Sequence, residues 1–468
     1  MEARTLDFVA KACSGELIQG SAEKRVQRVC TDSRRAQAGD LFIALKGERF
    51  DAHDFISEAS KKAEAVVFER GRVSEFEASC ALIAVDNTRL ALGRLAGRYR
   101  EDFSVPMVVV AGSNGKTTTK DLIAAVLRQQ RETLSSEASF NNDIGVPLTL
   151  LQLETRHQAA VLEAGTNHPG ELAPLIRIIR PEYGVVTSIG REHLEFFGDL
   201  DGVAKEEGAL GELLAPTGTL LVNGDDPWTG TLIERTRAAV VKVGTKADNY
   251  WRASQVRQDN HGIRFHVDAP DAQWSGSFHV PLWGRHQAVN ALFGIALGAE
   301  LGLDRTQIQR GLEQCQPAKM RLELWELNGI RVLDDAYNAN ADSMAAALQT
   351  LQELPCKGRS VAVLGDMAEL GVHSEAAHEE VGRLAAELGV GQLFVVGKMA
   401  AVMARGARNG GLNRVLEFAD VEAAAQAVKH FLKTGDLVLL KASRATRLER
   451  VAEALRNGRR NGAECFTT

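Results

Sequence analysis

Residues 108 to 120 read VVVAGSNGKTTTK. A β-branched run breaks into glycine, serine, asparagine and glycine, and then a lysine and three threonines open the helical pattern KTTTKDLIAAVLRQQ. A strand ending at Ala111 that turns directly into a helix leaves the first-turn N–H groups without intrahelical acceptors, and the helix end adds about half a positive charge. Such a turn holds phosphate. The backbone of Gly112, Ser113, Asn114 and Gly115 would cradle it, Lys116 would bridge the outer phosphates, and the Thr117 hydroxyl, with Thr118 beside it in the first turn, would sit on Mg²⁺. The spacing departs from the strict G-x-x-x-x-G-K-[ST] pattern, because Val110 stands where its first glycine should be; Gly112 supplies that freedom two residues later. The expected ligand is a nucleoside triphosphate. The loop is silent on the reaction.

Phosphate chemistry calls for a cation, and ligands in α/β sheets gather beyond the carboxyl ends of the strands. VLEAGTNHPGE puts Glu163 at the end of a buried strand, where an unpaired carboxylate would be costly and a divalent cation would remove the cost. TSIGREHLEFFG puts His193 after the next strand. Either residue alone could be a satisfied core group; two on the loop side of one sheet point to a metal. No NKxD guanine-reading motif is present, so adenine is the expected base.

The elements that must position these residues alternate between strand and helix. Residues 1 to about 101 carry short strands around DLFIALKG and AEAVVFER and an arginine-rich helix, RLALGRLAGRYRE, leading towards Pro106. From Met107 the runs MVVVAG, AAVLEAG, YGVVTSIG, GTLLVNGDD and AVVKVG look like buried parallel strands of a doubly wound sheet. A third set, RSVAVLGDM, GQLFVVG and GDLVLLKAS, repeats the theme after about residue 318. The chain has 468 residues, and at roughly 150 residues per domain three domains follow. The expected divisions are 1–101, 102–317 and 318–468: a small N-terminal α/β domain, a central P-loop doubly wound mostly parallel sheet, and a C-terminal Rossmann-like α/β domain.

Composition narrows the class. A hydrophobic share of 45% and a charged share of 25% are those of a globular protein. The net charge of −6 argues against a general nucleic-acid binder, which neutralises phosphates with a basic surface. The basic stretch from Arg444 to Arg460 is expected to form one helix face. Six cysteines, Cys13, Cys30, Cys80, Cys315, Cys356 and Cys465, include no CxxC pair and read as buried thiols. No leader-like stretch precedes the first charges, and no run approaches the roughly 18 apolar residues of a membrane span. The expected location is the cytoplasm.

The segments GSNGKTTTK, FNNDIGVPLTLLQL, EAGTNHPGE, IGREHLEFFG, GRHQAVNAL, RLELW, DDAYNANADSM and LGDMAELG together resemble the Mur ligase family of peptidoglycan synthesis, in family order from about residue 30 to 450. DDAYNANADSM and LGDMAELG are similar to the branch that adds D-alanyl-D-alanine. The resemblance implies three domains that bind a UDP-sugar, ATP and the incoming amine. The implied reaction uses ATP and Mg²⁺ to phosphorylate the terminal carboxylate of UDP-N-acetylmuramoyl-tripeptide, and the amine of D-alanyl-D-alanine then attacks the acyl phosphate. A monomer is expected.

The same resemblance distributes roles. Lys116, Glu163, His193 and Arg321 would be catalytic, with Arg321 reaching the ATP phosphates from the third domain; Met320 stands where a glycine is common in the family. His286 and Asn290, four apart and so on one helix face, would lie against adenine, although capping or core roles also suit them. Asp335 would bind ribose, with Tyr337 beside the nucleotide. Thr117, Glu163 and His193 would hold metal. Family members usually carry a carbamylated lysine 14 residues after the histidine; that count lands on Glu207, whereas Lys205, two positions earlier on a helix, would face away. Glu207 is therefore expected to supply the carboxylate natively. Ser33, Arg34 and Lys46 are the diphosphate candidates of the first domain, with a solvated basic turn as the other reading. Asn141 and Asn142 would present amides to the tripeptide carboxylate or γ-phosphate. Asn338 and Asn340 are substrate candidates or plain turn residues, and Asp366, Glu369 and KASRATR face the amine site by resemblance alone. Three alternatives stay open: folylpolyglutamate synthase, whose loop would lie nearer the N-terminus, a diaminopimelate- or lysine-adding Mur ligase, and a regulatory P-loop NTPase.

Overall fold

A computed structural model describes residues 1–47, 50–75 and 78–457, with the side chains of 73–75 left aside. Three parallel-rich sheets follow one another along the chain.

The N-terminal sheet orders its strands Glu16–Gln19, Ala81–Val85, Ala65–Glu69, Asp40–Ile43 and Arg28–Cys30, and only the first pair is antiparallel. The expected arginine-rich helix spans Thr88–Arg100 and starts where Asn87 accepts the N–H of Leu90. Its Arg100 is buried and donates to the carbonyls of Ile179 and Phe103, tying this unit to the next.

The central sheet runs Thr133–Ser135, Ala159–Glu163, Met107–Ala111, Tyr183–Val186, Thr219–Asn223 and Ala239–Gly244, all parallel. Trp251–Asp259, Gly262–Asp268 and Gly276–Val280 extend it, the last two antiparallel. That extension is absent from the sequence expectation. The Met107–Ala111 strand is buried on both faces, which is why its sequence is an unbroken apolar run. Val108 and Val110 pack with Leu122, Ile123 and Leu292, while Met107 and Val109 pack with Leu162 and Ile176 on the opposite face. After this strand the chain moves first to one side and then to the other, so its carboxyl end is the point where strand order reverses.

The C-terminal sheet orders Glu323–Leu327, Ile330–Asp335, Leu437–Lys441, Ser360–Gly365, Gln392–Val396 and Val415–Phe418, antiparallel only in the first pair. Two expectations are corrected here. Arg444–Arg460 is not one helix face: Arg444–Thr446 is a 3₁₀ turn, Arg447 takes a left-handed φ of 54°, and among the described residues the helix begins only at Glu449 and covers Glu449–Asn457. Residues 458–460 and Cys465 lie outside the described residues. Of the other thiols, Cys13, Cys30, Cys80 and Cys315 are buried, but Cys356, in the turn after a helix, is exposed.

Candidate active site

The turn at the switch point is built by two glycines. Gly112 and Gly115 have φ of 109° and 85°, in the region that L side chains rarely adopt. A Cβ on Gly112 would lie 2.5 Å from Thr187 Oγ1, and one on Gly115 2.9 Å from Asn290 Oδ1. The loop docks on the segment after the next strand: the Ser113 N–H donates to the Ser188 carbonyl at 2.8 Å, the Asn114 N–H to Ser188 Oγ at 3.1 Å, and the Gly190 N–H to Ser113 Oγ at 2.8 Å. The helix Lys116–Leu127 follows with no side chain capping its first turn. Those N–H groups are free for an anion.

Lys116 bends back into its own loop and donates to the carbonyls of Gly112 at 2.6 Å and Ser113 at 3.2 Å, with Glu192 Oε2 at 3.5 Å. Burial alone would depress its pKa, but the carboxylates of Glu192, Glu207 and Glu163 outweigh burial and hold it above the ordinary lysine value. Burial raises the Glu192 carboxyl despite Lys116, and pushes Glu207 up to about 8. One lysine thus faces three acids, of which Glu163 and Glu207 are buried and Glu192 is 11% exposed. Such a charge set is costly to keep and is the kind of arrangement found at functional sites.

Two oxygens beside the loop are left without partners. Thr117 Oγ1 and Glu163 Oε2 are both buried and unbonded, while Glu163 Oε1 accepts from Asn141 Nδ2 at 2.8 Å. Buried polar atoms are rarely orphaned. A hard cation with oxygen ligands fits both. Among the described residues no three His, Cys, Asp or Glu side chains form a metal-holding group; magnesium commonly takes one or two carboxylates together with substrate phosphates and waters. Glu207 is almost fully buried behind the loop, where its Oε2 receives the Gly112 N–H at 2.7 Å, whereas Lys205 is exposed. Between them Glu206 accepts from Gly170 and Leu172 N–H at 2.7 and 2.8 Å and fixes the turn that follows Glu163.

Third-domain residues already lie against this loop. A cleft of about 810 Å³ separates the two, lined by Ser113, Asn114, Gly115, Lys116, Thr117 and Thr118 on one wall and by Arg321, Asp335, Tyr337, Asn338 and Asn340 on the other. Asn141, Asn142, Glu163, His193, His286 and Asn290 also line it, while Gly112 and Glu207 stand behind it. The Arg321 guanidinium stacks 4.3 Å over the Tyr337 ring and reaches Ser139 Oγ at 3.3 Å. Met320 takes a left-handed φ of 58°, in the region that favours glycine. Asp335 accepts from Lys441 Nζ at 2.5 Å. Asn340 caps the helix Ala341–Glu353 and also donates from Nδ2 to Asn114 Oδ1 at 3.0 Å. Burial lowers His286 to about 4, so its imidazole is neutral.

Other expected residues have local jobs. Asn142 Oδ1 accepts from Gly145 N–H at 2.9 Å and Ile144 N–H at 3.2 Å, and Asn141 spends its amide on Glu163. Asp366 accepts the N–H groups of Lys398 and Met399. Ser33, Arg34 and Lys46 do not line the cleft; Ser33 is buried in a 3₁₀ turn, Arg34 chelates Asp32 with bonds of 2.9 and 2.7 Å, and Lys46 is exposed beside Asp51.

Three residues escaped the sequence reading. Glu192 and Arg191 directly precede His193, and Arg191 clamps the third domain with bonds of 2.9 Å to Asp342 and 2.7 Å to Glu380. Lys441, the first residue of the KASRATR stretch expected at the amine site, ends a buried strand as Glu163 does and lines the cleft beside Asp335. Lys120, almost fully buried, donates to the Ser136 carbonyl at 2.7 Å and shapes the loop carrying Ser139.

A glycine-built turn with an uncapped helix start at a sheet switch point, two orphaned buried oxygens beside it and a facing Rossmann-like domain are the architecture of a three-domain nucleotide-dependent enzyme class. Family models match in the same order: the Mur ligase family catalytic domain over residues 25–100, the Mur ligase middle domain over 110–298, and the Mur ligase glutamate ligase domain over 320–444. The chain belongs to the Mur ligase family. It is 36% identical over 456 residues to the UDP-N-acetylmuramoyl-tripeptide–D-alanyl-D-alanine ligase of Bacillus subtilis, covering 97% of this chain and 98% of that one. MurF from Acinetobacter baumannii superposes with a TM-score of 0.89 at 32% identity, covering 98% of this chain and 99% of its own. MurF from Thermotoga maritima, solved in complex with ADP, superposes at 0.81 and 27% identity, covering 94% and 99%.

Proposed function

We propose that this chain is the ligase that joins D-alanyl-D-alanine to UDP-N-acetylmuramoyl-tripeptide, at the expense of ATP, in peptidoglycan precursor synthesis. The observation that carries the reading is the lysine-bearing turn with two orphaned oxygens, facing Arg321 across one cleft. Relatives matching nearly the whole chain bear that activity in their names.

In this reading residues 1–101 hold the UDP-sugar, 102–317 ATP and 318–468 the dipeptide. A tripeptide carboxylate oxygen attacks the γ-phosphorus, the bond to ADP breaks, and the acyl phosphate forms. The dipeptide amine then attacks the acyl carbon, the nitrogen loses a proton, and phosphate leaves with the former carboxylate oxygen. Lys116 exchanges its loop carbonyls for the γ-phosphate, and Arg321 approaches from the third domain, so positive charge is in place where negative charge develops. His286 and Asn290 flank adenine, Asp335 and Tyr337 the ribose. Asn141 and Asn142 orient the tripeptide end, Asn338 and Asn340 line the third-domain wall beside it, and Ser33, Arg34 and Lys46 serve the UDP diphosphate. Thr117, Glu163, His193 and Glu207 are the residues that would hold Mg²⁺, which, when bound, screens phosphate charge. The enzyme acts as a cytoplasmic monomer.

The test is phosphate release from ATP with UDP-tripeptide, with D-alanyl-D-alanine present, omitted, or replaced by diaminopimelate or glutamate. Release that requires the dipeptide is expected. Release independent of it, or supported equally by the amino acids, would exclude the assignment.

A further inference from the structure

His193 and Glu369 come from different domains, yet they are bonded. The imidazole Nδ1 meets Glu369 Oε2 in a short hydrogen bond. Neither residue sits in a relaxed backbone: His193 has φ of 50° and Glu369 of 60°. Left-handed backbone costs a non-glycine residue roughly 1–2 kcal/mol, and it persists where surrounding contacts over-determine it. Those contacts are present. The Glu195 N–H donates to the Glu369 carbonyl at 3.0 Å, and the His373 ring is 3.1 Å from the Gly198 carbonyl. A Cβ on Gly371 would lie 3.2 Å from Glu195 Cα, so the two segments touch along their length.

We propose that Glu369 is a positioning residue: docking of the third domain delivers its carboxylate to His193 Nδ1, fixing the ring so that Nε2 serves the cation site of the central domain. A carboxylate accepts only, so Nδ1 carries the proton of this bond, and Nε2 is the ring nitrogen left to a cation. Carboxylate partners of this kind orient metal-bound histidines, and their loss typically costs 10- to 100-fold in metal affinity. The consequence is that the cation site is complete only when the third domain is docked. Chemistry then waits for the domain that brings the amine. This inference rests on the assignment of His193 as a cation ligand made above.

The experiment measures Mn²⁺ binding to the full-length chain by electron paramagnetic resonance, with a non-hydrolysable ATP analogue present. Expected is a loss of about tenfold or more in Mn²⁺ affinity for Glu369→Ala, a loss at least as large for His193→Ala, and a smaller one for Glu369→Gln, which keeps an acceptor of the same size. On the His193→Ala background, Glu369→Ala should add less than about twofold, because groups acting through one another are not additive. If His193→Ala weakens Mn²⁺ while Glu369→Ala does not, or if the two losses add, the positioning role is overturned and the ligand assignment survives. If His193→Ala changes nothing, the ligand assignment falls and the inference with it.

Discussion

Lys116→Ala perturbs the site at its centre. The ammonium is held 2.6 Å from the Gly112 carbonyl and 3.2 Å from that of Ser113, so it is already inside the loop and reaches phosphate without crossing solvent. Removing one preorganised donor from a developing phosphoryl charge typically costs about 3 kcal/mol of transition-state stabilisation, which is roughly a hundredfold in rate. The two loop carbonyls also lose their donor, at about 1 kcal/mol each, and Glu192, Glu207 and Glu163 lose the ammonium they share. Turnover should therefore fall by at least about a hundredfold and towards a thousandfold where the loop also relaxes. The assay is phosphate release at saturating substrates, with UDP-tripeptide affinity measured separately by calorimetry. That affinity should change by less than about threefold, since Lys116 is placed to bind ATP and the UDP-sugar is assigned to another domain. A turnover loss below about tenfold, or an equal loss in UDP-tripeptide affinity, would refute the assigned role.

Gly112→Ala should abolish measurable ATP binding in calorimetry while the chain stays folded, because its Cβ would stand 2.5 Å from Thr187 Oγ1 at a φ of 109°; near-normal ATP affinity would show that the loop need not keep this shape. Arg191→Ala removes the clamp on Asp342 and Glu380, so small-angle scattering should show a larger radius of gyration and the KM for ATP should rise more than that for UDP-tripeptide; an unchanged radius would show that the clamp does not hold the domains. Glu207→Gln tests pH linkage. Burial raises the folded carboxyl from 4.5 to about 8, so the folded chain binds a proton that the unfolded chain releases across that window; its favourable contribution is complete below the unfolded value and is lost as pH rises towards 8. The melting temperature of the ligand-free variant should therefore exceed the parent's by a margin that grows from pH 5 to pH 8, and a constant margin would contradict the buried ionisation.

What the sequence reveals is what local chemistry encodes. The nucleotide turn is legible because strand, two glycines, lysine and helix are contiguous, and Glu163 because a charge ending an apolar strand needs a reason. The parallel strands are legible because burial on both faces leaves an unbroken apolar run. Long-range partners are not. Nothing near Arg191 announces Asp342, 151 positions away, or Glu380, 189 positions away, and nothing near His193 announces Glu369. The antiparallel extension from Trp251 to Val280 was missed because strands such as RASQVRQD alternate polar and apolar residues, unlike the parallel runs used as the guide. Asn142 carries a local contact of the same hidden kind: while lining the cleft, its Oδ1 accepts the N–H groups of Ile144 and Gly145.

The acyl-phosphate route is tested most directly by oxygen transfer. UDP-tripeptide labelled with ¹⁸O in its terminal carboxylate is converted with ATP, Mg²⁺ and D-alanyl-D-alanine, and the released phosphate is examined by mass spectrometry. The account predicts that each phosphate formed carries one oxygen from that carboxylate. Phosphate free of label, alongside normal amide formation, would contradict it.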